Sequence, residues 1–164
     1  FQKSFRLIKK ILMIKINVLI ENKSWKKYIK NPKNYLKKKI IKLENNIPFK
    51  NKKIEFSLLL SDTRFITRLN LKFRKKNKTT DILSFPSDEP LNSKKRGRKS
   101  FIYIGDIVIN LSKLKINLNN KNFVFKFDKT WVHGLAHLLG YKHKSKKDYL
   151  LMQKIENKFL RQIN

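Results

Sequence analysis

The segment from His133 to His143 constrains this chain most, because it holds all three histidines of the 164-residue sequence. His133 and His137 are four residues apart, so on a helix both imidazoles lie on one face. Gly140 follows at a position where a left-handed turn can end a helix, and such a turn brings His143 back toward the same point. The segment therefore predicts a helix, a glycine turn and a return of the chain.

Three imidazoles that converge on one point form the donor set of a metal ion. Neutral imidazole suits zinc best, and nickel, copper and iron also accept this ligand. Three protein ligands leave a fourth position for water, which is the arrangement of a catalytic zinc. We therefore expect one Zn²⁺ per chain, held by His133, His137 and His143. A structural three-histidine zinc is the alternative that this spacing leaves open.

The same spacing overlaps the H-E-x-x-H-x-x-G-x-x-H motif of metzincin proteases, with Gly140 also in register. In that motif the residue after the first histidine is the glutamate that acts as general base. Here the residue after His133 is Gly134. The absent glutamate argues against peptide hydrolysis by that mechanism.

The charge balance favours a polyanionic partner. Forty-one Lys and Arg residues stand against eleven Asp and Glu residues, which gives a formal net charge of +30. Such a balance attracts nucleic acid or an anionic membrane surface. Because a chain rich in Lys, Ile and Asn is also what an AT-rich genome encodes, mutational bias is an alternative source of the charge.

The chain has no cysteine, which excludes disulfides and thiolate sites and fits a reducing cytosol.

The N-terminal region gives no sign of a membrane segment. The apolar run Ile11–Ile20 contains a lysine and an asparagine and is shorter than the roughly 20 residues that span a membrane. It also lacks a small-residue cleavage site. We therefore expect a soluble, cytoplasmic protein without a membrane partner. Because the chain opens with Phe, we treat residues 1–12 as an uncertain N-terminal extension, Met13 as a plausible start and residues 13–164 as one domain.

Hydrophobic periodicity predicts an α+β domain. Short apolar runs predict strands over residues 14–20, 54–60, 79–86 and 101–109. Apolar residues at three- or four-residue steps predict helices over 24–46 with a break at Pro32, from a cap at Ser61 or Asp62 to Phe73, from Leu111, over about 127–140, and from Ser145, which stands in capping-box spacing with Asp148. This order indicates a small mixed four-stranded sheet packed with about five helices, one of them a metalloprotease-like helix that carries the metal site.

A polar, basic loop runs from residue 87 to residue 100. Its cations predict an RNA-contacting arm, and a solvated loop is the alternative. These cations are Lys94, Lys95, Arg96, Arg98 and Lys99.

Motifs on both sides of the histidines resemble those of a known family. Asn70 to Arg74 is similar to its L-N-x-x-x-R motif, and residues 80–86 are similar to T-D-V-L-S-F-P. Residues 105–109 resemble G-D-I-x-I, residues 133–143 resemble H-G-x-x-H-L-x-G-Y-D-H, and Met152 with Glu156 resembles M-x-x-x-E. In this order, over roughly residues 14–162, the segments resemble the YbeY family of bacterial endoribonucleases, also called rRNA maturation factors.

The resemblance implies a metal-dependent endoribonuclease that is specific for single-stranded RNA. It implies a role in rRNA maturation, chiefly at the 3′ end of 16S rRNA, and in ribosome quality control. The implied partners are rRNA, ribosomal subunits and ribosome-associated proteins in the cytoplasm. His133, His137 and His143 would hold zinc.

The same resemblance implies Arg74 and His133 as catalytic residues. The planar, permanently charged fork of Arg74 suits a phosphate oxygen of the scissile group. Asp81 and Asp106 would orient a ligating imidazole or accept a proton from water. A turn cap and a strand-end hydrogen bond are the alternative roles of these two carboxylates.

Lys142 departs from the family pattern, which usually has Asp immediately before the last histidine. A cation pointing inward would disfavour zinc, whereas one pointing outward would help to hold RNA phosphate.

Two alternatives to a zinc endoribonuclease remain: a noncatalytic ribosome-binding factor with structural zinc, and a metalloprotease-like hydrolase. Chelation separates a structural from a catalytic metal, because removal of a structural metal also unfolds the protein.

Overall fold

A computed structural model describes residues 13–43, 53–88, 101–115 and 119–164 of the chain. The predicted N-terminal extension and the cations of the predicted RNA-contacting arm lie outside these described residues. Within them, the elements are β1 (Ile14–Ile20), a short 3-10 helix (Lys23–Lys27), α1 (Pro32–Leu43), β2 (Ile54–Ser61), α2 (Thr63–Arg74), β3 (Ile82–Pro86), β4 (Ile102–Asn110), α3 (Leu111–Leu114), α4 (Asn120–Leu138) and α5 (Lys146–Ile163). The predicted α+β class and the predicted order of elements are confirmed.

The four strands form one mixed sheet in the order β1-β2-β4-β3. Strands β1, β2 and β4 are parallel, and β3 pairs antiparallel with β4 at the edge. Parallel neighbours need a long crossover connection. The connection between β1 and β2 contains α1, and the connection between β2 and β4 contains α2 and β3.

Helices pack on both faces of the sheet. One face carries the larger core, to which α1, α4 and α5 contribute and in which Trp25, Phe127 and Trp131 are fully buried. The other face packs against α2 through a smaller cluster formed by Ile66 with residues of β3 and β4. Among the described helices, none combines the length and the apolar character needed to cross a membrane.

A bulge in β4 adjusts the sheet beside β3. The register between β2 and β4 shifts after Tyr103, which leaves Ile104 as an extra residue before Gly105. Gly105 has a φ of +129°, and a Cβ at this position would lie 2.2 Å from the carbonyl oxygen of Phe85. Glycine is therefore required where β3 pairs with the bulge.

A buried carboxylate fixes α4 relative to α1. Asp128 of α4 is 1% exposed and accepts hydrogen bonds from the Tyr35 hydroxyl at 2.8 Å and from Trp131 Nε1 at 2.9 Å. Lys39 Nζ lies 3.0 Å from the same carboxylate and compensates its charge. Burial and the Asp128 charge raise the pKa of Tyr35, so this hydroxyl stays a donor. The network lies just before the histidines along α4 and holds this helix in place.

Two predicted helices differ from the observed ones. In place of one helix broken over residues 24–46, the structure has a 3-10 helix and then α1, which begins at Pro32 because proline fits the first turn of a helix. Helix α4 begins well before the predicted residue 127. Asn119 caps it by accepting a hydrogen bond from the Asn122 amide at 2.9 Å, within a polar stretch that hides the apolar period.

Two predicted caps are confirmed. Asp62 accepts a hydrogen bond from the Phe65 amide at 3.0 Å and begins α2. Ser145 and Asp148 form a reciprocal capping box at the start of α5.

Candidate metal centre

Helix α4 presents His133 and His137 one turn apart, and its C-terminal turn sends the chain back. The amides of Gly140 and Tyr141 donate to carbonyls of the last helical turn at 3.0 and 3.1 Å, in the pattern of a Schellman motif. Gly140 has a φ of +95°, a left-handed conformation that glycine adopts without steric cost. The turn brings His143 beside the two helical histidines.

The ligand nitrogens of the three imidazoles converge within 4.8 Å of one another. The Nε2 atoms of His133 and His137 are 3.1 Å apart. Two nitrogens bound to a tetrahedral zinc at about 2.0–2.1 Å lie about 3.3 Å from each other. The spacing therefore fits a metal ion of this kind, and the exposed side chain of His143 offers the third donor.

The second ring nitrogen of each helical histidine already has a partner. His133 Nδ1 lies 2.7 Å from Glu156 Oε1 on α5, and His137 Nδ1 lies 3.0 Å from the carbonyl oxygen of Tyr141. Because an ionised carboxylate and a carbonyl only accept, both Nδ1 atoms carry the hydrogen, and in neutral imidazoles both Nε2 atoms then present a lone pair. Two lone pairs 3.1 Å apart repel each other, and either a proton between the two Nε2 atoms or a bound metal ion relieves this repulsion. The arrangement is therefore suited to hold a metal ion.

The electrostatic environment of His137 favours the neutral form of its imidazole. Burial lowers the pKa of His137, and the neighbouring His133 ring lowers it further. Both effects keep the imidazole neutral. Neutral imidazole is the form that binds a metal.

An open cleft of about 400 Å³ surrounds the three imidazoles. Its other lining residues come from the end of α2, from β3 and from the turn after α4: Arg74, Ile82, Ser84, Pro86, Tyr141, Lys142 and Lys144. Arg74 Nη2 donates to the Ser84 carbonyl at 3.4 Å. The cleft thus contains both the predicted metal ligands and the predicted phosphate-binding arginine.

A short turn after α2 explains how Arg74 reaches this cleft. Lys75 ends α2 in a left-handed conformation with a φ of 57°. The Asn70 side chain, 3% exposed, donates to the Lys78 carbonyl at 2.7 Å, and the Asn70 carbonyl accepts from the Lys76 amide at 3.3 Å. Asn70 therefore ties down the turn that leads into β3, one helical turn from Arg74.

The two carboxylates named from the sequence make hydrogen bonds elsewhere. Asp81 Oδ1 accepts from the Ile82 amide at 2.9 Å and from the Thr80 hydroxyl at 3.1 Å, which is a turn cap. Asp106 accepts from the Tyr103 hydroxyl on the same strand. Neither of these contacts orients the helical histidines. A role as proton acceptor stays a prediction for both residues.

Glu156 and the Tyr141 carbonyl occupy the orienting positions instead. Sequence reasoning included Glu156 only in the M-x-x-x-E segment and gave it no function. One signal was present: Glu156 is one of only eleven acidic residues in a chain with 41 cations, and it directly follows the apolar-face residue Ile155. The Tyr141 carbonyl carried no such signal, because any residue offers one.

Gly134 lies on the face of α4 that packs against the sheet. A Cβ at this position would lie 2.9 Å from side-chain atoms of both Ile82 and Ile107. A glutamate has no room there without displacing the core. The missing general base of the protease alternative therefore has a steric explanation.

The fold and the site together define a class, namely α+β proteins in which a three-histidine metal site and an arginine share one cleft. Residues 19–164 match the family model described as Endoribonuclease YbeY. The chain belongs to the YbeY family. It is 40% identical over 148 residues to Endoribonuclease YbeY of Pelagibacter ubique (strain HTCC1062), covering 88% of this chain and 93% of the relative. It is 35% identical over 156 residues to the Endoribonuclease YbeY of Buchnera aphidicola subsp. Schizaphis graminum, covering 92% of each chain.

One solved structure supports the fold. The solution structure of TM1509 from Thermotoga maritima superposes with a TM-score of 0.55 at 24% sequence identity, covering 90% of this chain and 88% of that one. The family match confirms the predicted resemblance, and this superposition confirms the predicted fold class.

Proposed function

We propose that this protein is a zinc-dependent endoribonuclease that cleaves single-stranded RNA. The observation that carries the proposal is the common cleft of three convergent imidazoles and Arg74. Membership of a family whose relatives are named Endoribonuclease YbeY supports the type of reaction.

In this proposal His133, His137 and His143 hold one zinc ion. Zinc supplies Lewis-acid chemistry, which polarises a phosphoryl oxygen or lowers the pKa of water. Glu156 and the Tyr141 carbonyl hold two of the rings with Nε2 directed into the cleft. The open cleft and the exposed third ligand favour this catalytic role over a closed structural zinc site.

Arg74 binds the scissile phosphate. Its guanidinium is permanently charged and offers parallel N–H donors to two phosphate oxygens. Its present hydrogen bond to the Ser84 carbonyl is long, at 3.4 Å, so little is lost when the side chain turns to the substrate. Negative charge on the phosphoryl oxygens peaks in the transition state, where Arg74 therefore contributes most.

Lys142 and Lys144 attract the RNA backbone to the cleft. Both side chains are exposed at the cleft wall. For Lys142, which stands where the family usually has Asp, this exposure favours contact with RNA phosphate. Phosphate contacts do not read the base sequence, so target choice depends on context. We propose the 3′ end of 16S rRNA in a cytoplasmic ribosomal subunit as that context, with a role in rRNA maturation and quality control.

A comparison of two RNA forms, single-stranded and duplex, with two proteins tests the proposal. Zinc-loaded wild type is expected to cut a labelled single-stranded RNA and to leave its duplex intact. His137→Ala, confirmed as folded by circular dichroism, is expected to cut neither RNA. Equal cleavage by both proteins would show that the histidine site is not the source of the activity. Cleavage near the 16S 3′ end in precursor subunits, compared with naked precursor RNA, tests the proposed context.

A further inference from the structure

An exposed aromatic ring lies beside the cleft arginine. Phe73 directly precedes Arg74 at the end of α2 and is 57% exposed. Its ring contacts the ring of Phe85, with centroids 5.2 Å apart and an interplanar angle of 61°. Lys72 Nζ lies 5.2 Å from the Phe73 ring centroid. Phe73 is thus held by one neighbouring ring and remains largely open to water.

Phe73 and Arg74 reach consecutive residues of the edge strand β3. Arg74 bonds the Ser84 carbonyl, and Phe73 contacts the side chain of Phe85. Successive side chains of a strand point to opposite faces, so Ser84 lines the metal cleft whereas Phe85 joins the cluster on the α2 side. A polymer that leaves the cleft over the β3 edge therefore meets Arg74 and then Phe73.

We propose that Phe73 is a stacking platform for one unpaired base of single-stranded RNA, next to the phosphate bound by Arg74. This inference rests on the proposed function, because Arg74 is assigned there to the substrate phosphate. The base lies on the exposed part of the Phe73 ring, and the long exposed side chain of Lys72 turns to a neighbouring phosphate. Aromatic stacking accepts any base, whereas the bases of a duplex are already stacked on one another. The subsite therefore gives the enzyme a preference for single strands without sequence specificity.

The chain provides a matched control for this subsite. Phe125 on α4 is 55% exposed, and Lys129 Nζ lies 5.8 Å from its ring centroid. Phe125 therefore has nearly the same exposure and the same type of cation contact as Phe73. Phe125 does not line the cleft, whereas Lys129 lines a separate pocket beside His133 and His143, so the control replaces Phe125 alone. Only Phe73 is expected to contribute to RNA binding through stacking.

The test uses single-stranded RNA in which one base is replaced by 2-aminopurine, whose fluorescence falls on stacking. Zinc-loaded protein is mixed with this RNA by stopped flow, so the binding amplitude is read before cleavage. Phe73→Ala and Phe73→Leu are expected to lose the quench and to weaken binding by about 5- to 100-fold. Phe73→Tyr keeps an aromatic face and is expected to bind like wild type. Phe125→Ala is expected to leave binding unchanged.

Phe73→Leu separates stacking from packing, because leucine retains an apolar contact with Phe85. An abasic nucleotide at the stacked position is expected to weaken wild type as much as Phe73→Leu does, with no further loss when both changes are combined. Unchanged quench and affinity in Phe73→Leu, with RNA cleavage by wild type intact, would overturn the stacking platform alone and would leave Phe73 as a residue for protein docking. A wild type that neither binds nor cleaves RNA would overturn this inference together with the proposed function.

Discussion

Replacing Glu156 by glutamine tests whether the carboxylate on α5 strengthens zinc binding by His133. The Oε1–Nδ1 distance is 2.7 Å, and the Glu156 side chain is 23% exposed, so the hydrogen bond is charge-assisted and only partly screened. Hydrogen bonds to a charged group contribute about 1.5–3 kcal/mol, and neutral ones about 0.5–1.5 kcal/mol. Glutamine keeps an acceptor but loses the charge, so the expected cost is roughly 1–1.5 kcal/mol, or about five- to tenfold in zinc affinity. Glu156→Ala also loses the acceptor and is expected to weaken binding by about 10- to 100-fold.

The zinc dissociation constant is measured by competition with a chromophoric chelator, and circular dichroism confirms the fold of each variant. Glu55→Gln is the matched control, because it removes the same charge from a carboxylate that pairs with Lys15 at 2.8 Å and does not line the cleft. Its zinc affinity is expected to equal that of wild type. Equal zinc affinity in Glu156→Gln and wild type would refute the orienting role, and equal weakening in both variants would reduce it to a general effect of net charge.

Arg74→Lys keeps the charge but loses the planar fork, and we expect kcat on single-stranded RNA to fall about 100-fold with the fold unchanged; wild-type kcat would contradict the phosphate contact. Chelation of zinc is expected to abolish cleavage and to leave the far-UV circular dichroism largely intact, because none of the three histidine ligands belongs to the buried core. Unfolding on chelation would indicate a structural zinc instead. Gly105→Ala is expected to destabilise the protein by about 2–4 kcal/mol in denaturant unfolding, because the added Cβ would lie 2.2 Å from the Phe85 carbonyl oxygen and the backbone is left-handed. An unchanged denaturant midpoint would disprove this strain. The hydrogen bond from the Phe65 amide lowers the pKa of Asp62, so the cap stabilises the fold by about 1 kcal/mol above the ordinary Asp pKa and loses this contribution as pH falls through the lowered value. Asp62→Asn keeps a capping oxygen without the titration, so its unfolding free energy should vary less with acid pH. An unaltered pH profile would show that ionisation of Asp62 does not contribute to stability.

The order of strands and helices was predictable because it depends on local apolar periodicity. Helix α2 shows this well: Phe65, Ile66 and Leu69 recur at helical steps and pack toward the sheet. The same pattern placed Phe73 on this inner face, which is wrong, because Phe73 at the end of the helix is 57% exposed. The bulge before Gly105 could not be predicted in the same way. It depends on the register between β2 and β4, which are far apart in the chain, and a lone glycine in a strand does not reveal which carbonyl approaches it.

In the candidate site, too, local features were predictable from the sequence and long-range contacts were not. The spacing of His133, His137 and His143 is local, so helix geometry and one glycine turn sufficed to predict their convergence. The contact between His133 and Glu156 joins two helices across 23 positions and requires the packing of α5 on α4. The cleft position of Arg74 likewise depends on how the turn after α2 returns to β3. For Arg74 the family motif identified the residue, and the structure supplied the physical reason for its spacing from Asn70.

The most direct test of the central claim is a zinc titration of chelated protein with two readouts, bound metal and the rate of single-stranded RNA cleavage. If the three histidines form a catalytic zinc site, cleavage rises in proportion to bound zinc and saturates at one zinc per chain, and His143→Ala shows neither tight binding nor cleavage. Full cleavage by metal-free protein, or one tightly bound zinc per chain with no cleavage, would contradict the account.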